Sequence, residues 1–264
     1  GYLALVIVFA IVCVALGTWQ LARRAEARAE IDRVESNWDA APVPVDDVLE
    51  DLGSFDGDDK WMPVILTGRY LDDEQLLARN RPRNDTIGFE VLVPFELTDG
   101  TILIVDRGWI PAGNEQDAPD AVPPPPTGEV TVVARLKAGE PTVIGRSAPE
   151  GQVATINLPE IAALLGQPTH TGAYGLLVSE DPSVPRPEAA TKPYPDEGPH
   201  LSYAFQWFVF ALLGFVGFGF ALRQEYRAVN ADAPAEQQRA AARAARAARK
   251  ERSDAEIEDE LLER

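Results

Sequence analysis

The sequence predicts a membrane protein in which two transmembrane α-helices flank a mainly antiparallel β domain, a β-rich α+β unit held outside the cytoplasm. Three observations carry this reading. Apolar runs without a charged side chain stand at Gly1–Leu21 and Tyr203–Leu222. Between them lie short Val-, Ile- and Leu-rich runs bounded by turn residues, and after them comes an Ala- and Arg-rich tail.

A helix needs roughly 20 apolar residues to cross the hydrocarbon core, and both runs reach that length. A core helix of a soluble protein usually keeps a polar stripe; neither run has one. Ala15-Leu16-Gly17 resembles a small-residue cleavage site, but the apolar run is longer than a usual signal core, so a retained span is expected. No Met and no basic residue stand ahead of the run at Gly1, and the natural N-terminus is expected to lie upstream. Orientation follows Lys and Arg near the span ends. Arg223, Arg227, Arg239, Arg243, Arg246, Arg249, Lys250 and Arg252 follow the second span and mark the tail as cytoplasmic. Arg23, Arg24, Arg28 and Arg33 after the first span pull the other way, but a long domain translocates largely regardless of local charge.

Composition removes several functions. The formal charge is −18 over 264 residues, most of it between the spans, which argues against nucleic acid as a partner. The single cysteine, Cys13, and the two histidines, His170 and His200, leave no material for a disulfide framework or a Cys- or His-rich metal centre. Cys13 reads as a small membrane hydrophobe.

The expected organisation is a first span over 1–21, a helical extension and linker over 22–41, and the β-rich domain over 42–180. A proline-rich arm over 181–202, a second span over 203–222 and the tail over 223–264 complete it. Ala, Arg and Glu after Leu21 favour helix, with Arg28/Asp32 and Glu30/Arg33 at helical spacing. A short helix is expected at Asp46–Leu52. Strands are expected at Val64–Tyr70, Gln75–Asn80, Phe89–Leu97, Thr101–Ile110, Glu129–Lys137 and Ala173–Val178, with a hairpin turn at Thr98-Asp99-Gly100. Pro119–Thr127 cannot pair in a sheet and should be an exposed loop. Leu158–Leu165 reads as a helix capped by Asn157 with Pro159 in its first turn. The tail from Ala235 reads as a helix with a basic stripe, more simply solvated than bound to anionic lipid.

Three segments stand out chemically. Gly17-Thr18-Trp19-Gln20-Leu21, followed by Arg23 and Arg24, places a Trp at headgroup level and a Gln that needs a polar partner if it faces another helix. Val105-Asp106-Arg107-Gly108-Trp109-Ile110-Pro111 puts a charge pair and a Trp at a strand end, where Arg107 could simply pair with Asp106 or another acid. His200-Leu201-Ser202-Tyr203-Ala204-Phe205-Gln206-Trp207-Phe208 opens the second span. On that helix Tyr203, Gln206/Trp207, Phe210, Gly214, Gly217 and Ala221 share a face, and Gly217 with Ala221 forms a small-xxx-small pair that permits close helix contact. His200 could ligate a haem iron, cap the helix or sit hydrated at the interface.

These three blocks, with Gly68-Arg69-Tyr70, Arg79 and Gly88-Phe89, resemble the signature segments of the surfeit-locus assembly-factor family in a bacterial member. The resemblance covers about 1–223 and leaves the tail outside. It implies an assembly factor for haem-copper cytochrome c oxidase, acting by binding rather than catalysis, with oxidase subunits as partners and haem a as a transient cofactor. It implies cofactor contact by His200, Tyr203, Gln206 and Trp207, with His200 as the iron ligand. Partner contacts would fall to Trp19, Gln20, Arg24, Arg107, Trp109, Gly217 and Ala221. One departure stands out: Glu197-Gly198-Pro199 precede His200, where the family usually has Asn directly before it. A permanent accessory subunit of the oxidase or of a respiratory supercomplex is the alternative. An external membrane enzyme fares worse, since no G-x-S-x-G nucleophile elbow occurs.

Overall fold

A computed structural model of the chain describes residues 1–114 and 118–262. It forms two compact units, one of Ala27–Glu197 and one of Gly1–Glu26 with Gly198–Arg264.

The helical unit is built on two helices long and apolar enough to cross a membrane, α1 (Tyr2–Asn37) and α3 (His200–Val229). α1 continues past its apolar run because the residues after Leu21 are helix formers supported at i,i+3, with Arg23–Glu26 at 2.7 Å and Arg33–Glu30 at 2.6 Å. The expected Arg28–Asp32 pair gives way to Arg28 Nε–Glu197 Oε1 at 2.9 Å. Ala10 and Cys13 pack against Ala211 and Trp207. Backbone approach is permitted at two glycines: a Cβ on Gly17 would lie 2.8 Å from the Phe208 ring, and one on Gly214 3.1 Å from that of Phe9. Small residues let the backbones of two helices approach closely. The contact face of α3 therefore runs through Ala204, Ala211 and Gly214. Gly217 and Ala221 lie off it, exposed, and nothing stands within 4 Å of a Cβ built on Gly217. The tail begins inside α3, which runs on to Val229, and continues as α4 (Pro234–Leu262), whose first turn carries Glu236 paired to Arg243 at 2.6 Å.

The second unit is a mixed β-sheet that closes on itself. Its strands are β1 (Val43–Pro44), β2 (Pro63–Tyr70), β3 (Leu76–Arg83), β4 (Thr86–Leu97), β5 (Ile102–Pro111), β6 (Val130–Ala138), β7 (Gln152–Val153) and β8 (Ala173–Asp181). β2, β6, β8, β5 and β4 pair in succession, and β4 pairs back to β2 through Gly68↔Leu97 and Tyr70↔Phe95, so five strands make a closed barrel. Most pairings are antiparallel; β1–β2, β3–β7 and β5–β8 are parallel. The long β4 serves two neighbours on one edge, β3 along its first half and β2 at its end. Closure leaves only the short β1 and β7 and part of β3 as sheet edges that could template pairing.

Alternation along the strands divides the apolar residues between two cores. Leu66, Phe89, Val91, Val93, Phe95, Leu103, Val105, Val132 and Leu136 belong to the cluster inside the barrel. Leu92, Ile104, Tyr174 and Leu176 face outward beneath Leu158 and Ile161 of α2 (Leu158–Leu165) and beneath Val34 of α1 and Trp38 just after it. α2 has its expected bounds, with Asn157 accepting from Glu160 N and Gly166 left-handed after it. The two short strands β1 and β7 were not foreseen, and the helix expected at Asp46–Leu52 is a single 3-10 turn at Val45–Asp47. The hairpin at Thr98-Asp99-Gly100 is present, with Gly100 at φ +85. The proline loop is not wholly exposed: Pro125 and Pro126 are buried and the Pro123 carbonyl accepts from Arg107. Prolines suit that position because they bring no N–H to satisfy.

Candidate functional site

Two places gather the residues singled out by the sequence. The first is where α1 and α3 meet at His200. Gln20 Oε1 and His200 Nδ1 are 2.9 Å apart, joining residues 180 positions apart in sequence. This answers the need of Gln20 for a polar partner. His200 does not cap its helix: Pro199 is the cap residue, with no side-chain cap bond, and its carbonyl accepts from Tyr203 N at 3.1 Å. Around it Trp19 and Tyr203 are 56% and 48% exposed, Gln206 is exposed, and Trp207 is half-buried in a T-shaped contact with Phe210. Arg24 is half-buried one turn beyond Gln20. Gly198, at φ +65, would place a Cβ 3.2 Å from His200 Nε2. In sequence this position is marked only by the missing Asn before His200; that a side chain at Gly198 would crowd the ring is visible only in the structure.

The second place is the β5 segment Asp106–Trp109, where neighbouring residues face opposite sides of the strand. Arg107 points into the barrel and is fully buried, so it offers no surface to another protein; that expected contact is corrected. Its Nη2 meets Glu180 Oε1 at 2.8 Å and its Nη1 donates to the Pro123 carbonyl. The Tyr70 hydroxyl donates to Glu180 Oε2 at 3.0 Å. Burial, and then the charge of Glu180, raise the Tyr70 pKa, so it stays a neutral donor. Glu180 faces inward because Ala134 pairs with Leu177 but Val133 with Ser179, which leaves Val178 as an extra residue. Such a bulge re-aims the following side chains, and no periodicity in the sequence announces it.

Asp106 faces the other way, into a cleft of about 400 Å³ lined among others by Arg81, Arg83, Glu90, Trp109 and Lys137. Arg81 is bidentate to Glu140 at 2.9 and 2.6 Å and lies 3.0 Å from Glu90. Asp106 accepts from Gly108 N at 2.9 Å. Its own burial, and then the charge of Glu90, push its pKa up to about 8, against the opposing pull of Gly108 N–H, Lys137 and Arg81. Trp109 is half-buried, with Nε1 donating to the Arg81 carbonyl. Its backbone exchanges two hydrogen bonds with Glu188 of the proline-rich arm, at 2.8 and 2.9 Å. Gly108, at φ +130, allows this close approach.

The class is defined by a closed five-stranded barrel that in sequence follows one membrane-length helix and precedes another, and by a Gln–His pair where those two helices meet. The SURF1 family profile matches residues 7–212, and the chain belongs to the SURF1 family. It is 36% identical over 236 residues to an uncharacterized SURF1-like protein of Mycobacterium tuberculosis, and equally to one of Mycobacterium bovis, across 86% of each chain. A SURF1-like protein of Rickettsia bellii is 24% identical over 208 residues, 77% of this chain and 83% of that one. The cytochrome oxidase assembly protein SHY1 of Saccharomyces cerevisiae is 30% identical over 125 residues, 45% of this chain and 30% of its own length.

Proposed function

We propose that this protein is an integral membrane assembly factor for haem-copper cytochrome c oxidase. It would help haem a reach, or be held in, the catalytic subunit by binding rather than by catalysis. The observation that carries the reading is the contact between Gln20 and His200, which unites the first and third family blocks, together with the name of the yeast relative SHY1. In this reading α1 and α3 cross the bacterial plasma membrane, the barrel lies outside and α4 lies in the cytoplasm, as the basic residues after α3 favour.

The residues at His200 fit a haem iron. A ligating imidazole needs one ring nitrogen with an open lone pair and the other oriented by a hydrogen bond. Nδ1 has that bond, Nε2 has no hydrogen-bond partner among the described residues, and Gly198 leaves space beside it. Haem would supply the iron and a large apolar face; Tyr203 and Trp207 would pack against the macrocycle, and Gln206 would offer an amide at its edge. Trp19, Arg24 and the exposed face of Gly217 and Ala221 would meet oxidase subunits.

Deletion of the gene, followed by haem analysis of the remaining oxidase, tests the function. Loss of haem a and of activity is expected; unchanged haem a content and activity would refute it. Co-purification with fully haem-loaded oxidase at constant stoichiometry would point instead to a permanent subunit, within a supercomplex or outside one.

A further inference from the structure

Gln20 and His200 meet through one atom pair that constrains the protonation of the imidazole. An amide oxygen can only accept a hydrogen bond. The 2.9 Å contact between Gln20 Oε1 and His200 Nδ1 therefore needs the proton of the neutral ring on Nδ1. Nε2 is then left as the nitrogen with the free lone pair. A neutral imidazole free in water prefers the opposite form, with the proton on Nε2, so the contact inverts an intrinsic preference. The surroundings of Nε2 agree: it has no hydrogen-bond partner among the described residues. Gly198 stands beside it, where a Cβ would come to 3.2 Å from Nε2. The next residue, Pro199, has no N–H that could donate to the lone pair.

We propose that Gln20 is a positioning residue that fixes His200 as the Nδ1–H tautomer and so presents Nε2 to a metal centre. The metal centre is the haem iron of the proposed function, and only its identity rests on that reading. The tautomer rests on the geometry. It also gives this chain a substitute for the Asn that the family resemblance led us to expect before His200: the orienting amide comes from the other helix.

The full chain in lipid nanodiscs, labelled with ¹⁵N-histidine, tests both halves. With only His170 and His200 present, His200→Ala assigns the signals. Long-range ¹H–¹⁵N correlations at about pH 8.5, above the ordinary imidazole range, should show His200 protonated at Nδ1. Gln20→Leu should move it toward the Nε2–H form, and Gln20→Glu, which keeps an acceptor oxygen, should hold the Nδ1–H form. A titration with ferric haem should show roughly tenfold weaker binding in Gln20→Leu and near-normal binding in Gln20→Glu. An Nε2–H signal in the unmodified protein, as a reversed Gln20 amide would give, overturns the proposal. Unchanged haem affinity in Gln20→Leu, with the tautomer altered, overturns the positioning role. Undiminished haem binding by His200→Ala would instead refute haem ligation, while the tautomer assignment would stand.

Discussion

Arg107 and Glu180 form an ion pair at 2.8 Å inside a closed barrel, with 0% and 1% of their side chains exposed. Two opposite charges taken out of water are tolerated only together, with their remaining hydrogen-bonding capacity met. Tyr70 and the Pro123 carbonyl help to meet it. Removing one charge, as in Arg107→Met or Glu180→Gln, should cost about 3–5 kcal/mol. Replacing both by apolar residues of similar volume should cost much less. Thermal unfolding of the single and double variants checks this: a double variant no more stable than the worse single one would contradict it.

The ring closes where β2 meets β4, and Gly68 is the residue that lets it. A Cβ there would overlap the Glu96 carbonyl oxygen, so Gly68→Ala must part the strands or shift the backbone. The expected loss is about 2–4 kcal/mol, with faster amide exchange at Arg69 and Tyr70. Gly128→Ala, at a turn with open space around it, is the control for a glycine whose requirement is backbone conformation alone. Equal losses in both variants would show that closure is not the issue.

Asp106 makes stability depend on pH. Its pKa is raised from 3.8 to about 8 in the folded protein, so between these values the folded state holds a proton that the unfolded chain releases. Stability from this group is then fully present below about pH 4 and declines as pH rises toward 8. Asp106→Asn keeps an oxygen for Gly108 N–H and removes the titration. The melting temperature of the Asn variant relative to the native chain should climb steadily from pH 4 to 8 and then level off. A constant difference across that range would contradict the assignment.

The α1–α3 contact depends on the missing side chain of Gly17. The Phe208 ring that a Cβ would meet at 2.8 Å is 37% exposed and can rotate away. Gly17→Ala should therefore be mild. Gly17→Val adds branched bulk and should separate the helices enough to release His200 from Gln20, read as increased solvent exchange at the His200 ring. No change in that exchange would place the helix contact elsewhere.

Much of this architecture could be read from residue order alone. Two charge-free apolar runs, the α2 cap at Asn157 and the hairpin at Gly100 are local matters of hydropathy, capping and backbone conformation. Six strands were legible to within a few residues because their Val, Ile and Leu alternate or cluster. The site was legible only in part. Gln20 and His200 stood out as residues in need of a function, but their meeting depends on how two helices pack. Arg107 stood out as one half of a charge pair, with its acid unidentified.

The sequence by itself determined the longer elements, the family and which side chains are chemically unusual, since these follow from local preference and composition. Tertiary structure alone decided that five strands close into a ring, that Asp106 and Arg107 serve opposite faces, and that Glu180 is the acid Arg107 pairs with. It also decided that the helix contact runs through Gly17 and Gly214 rather than Gly217 and Ala221. The physical reason is the same each time. A bulge of one residue, or a rotation of one helix face, reassigns every side chain beyond it, and nothing in local composition records that choice.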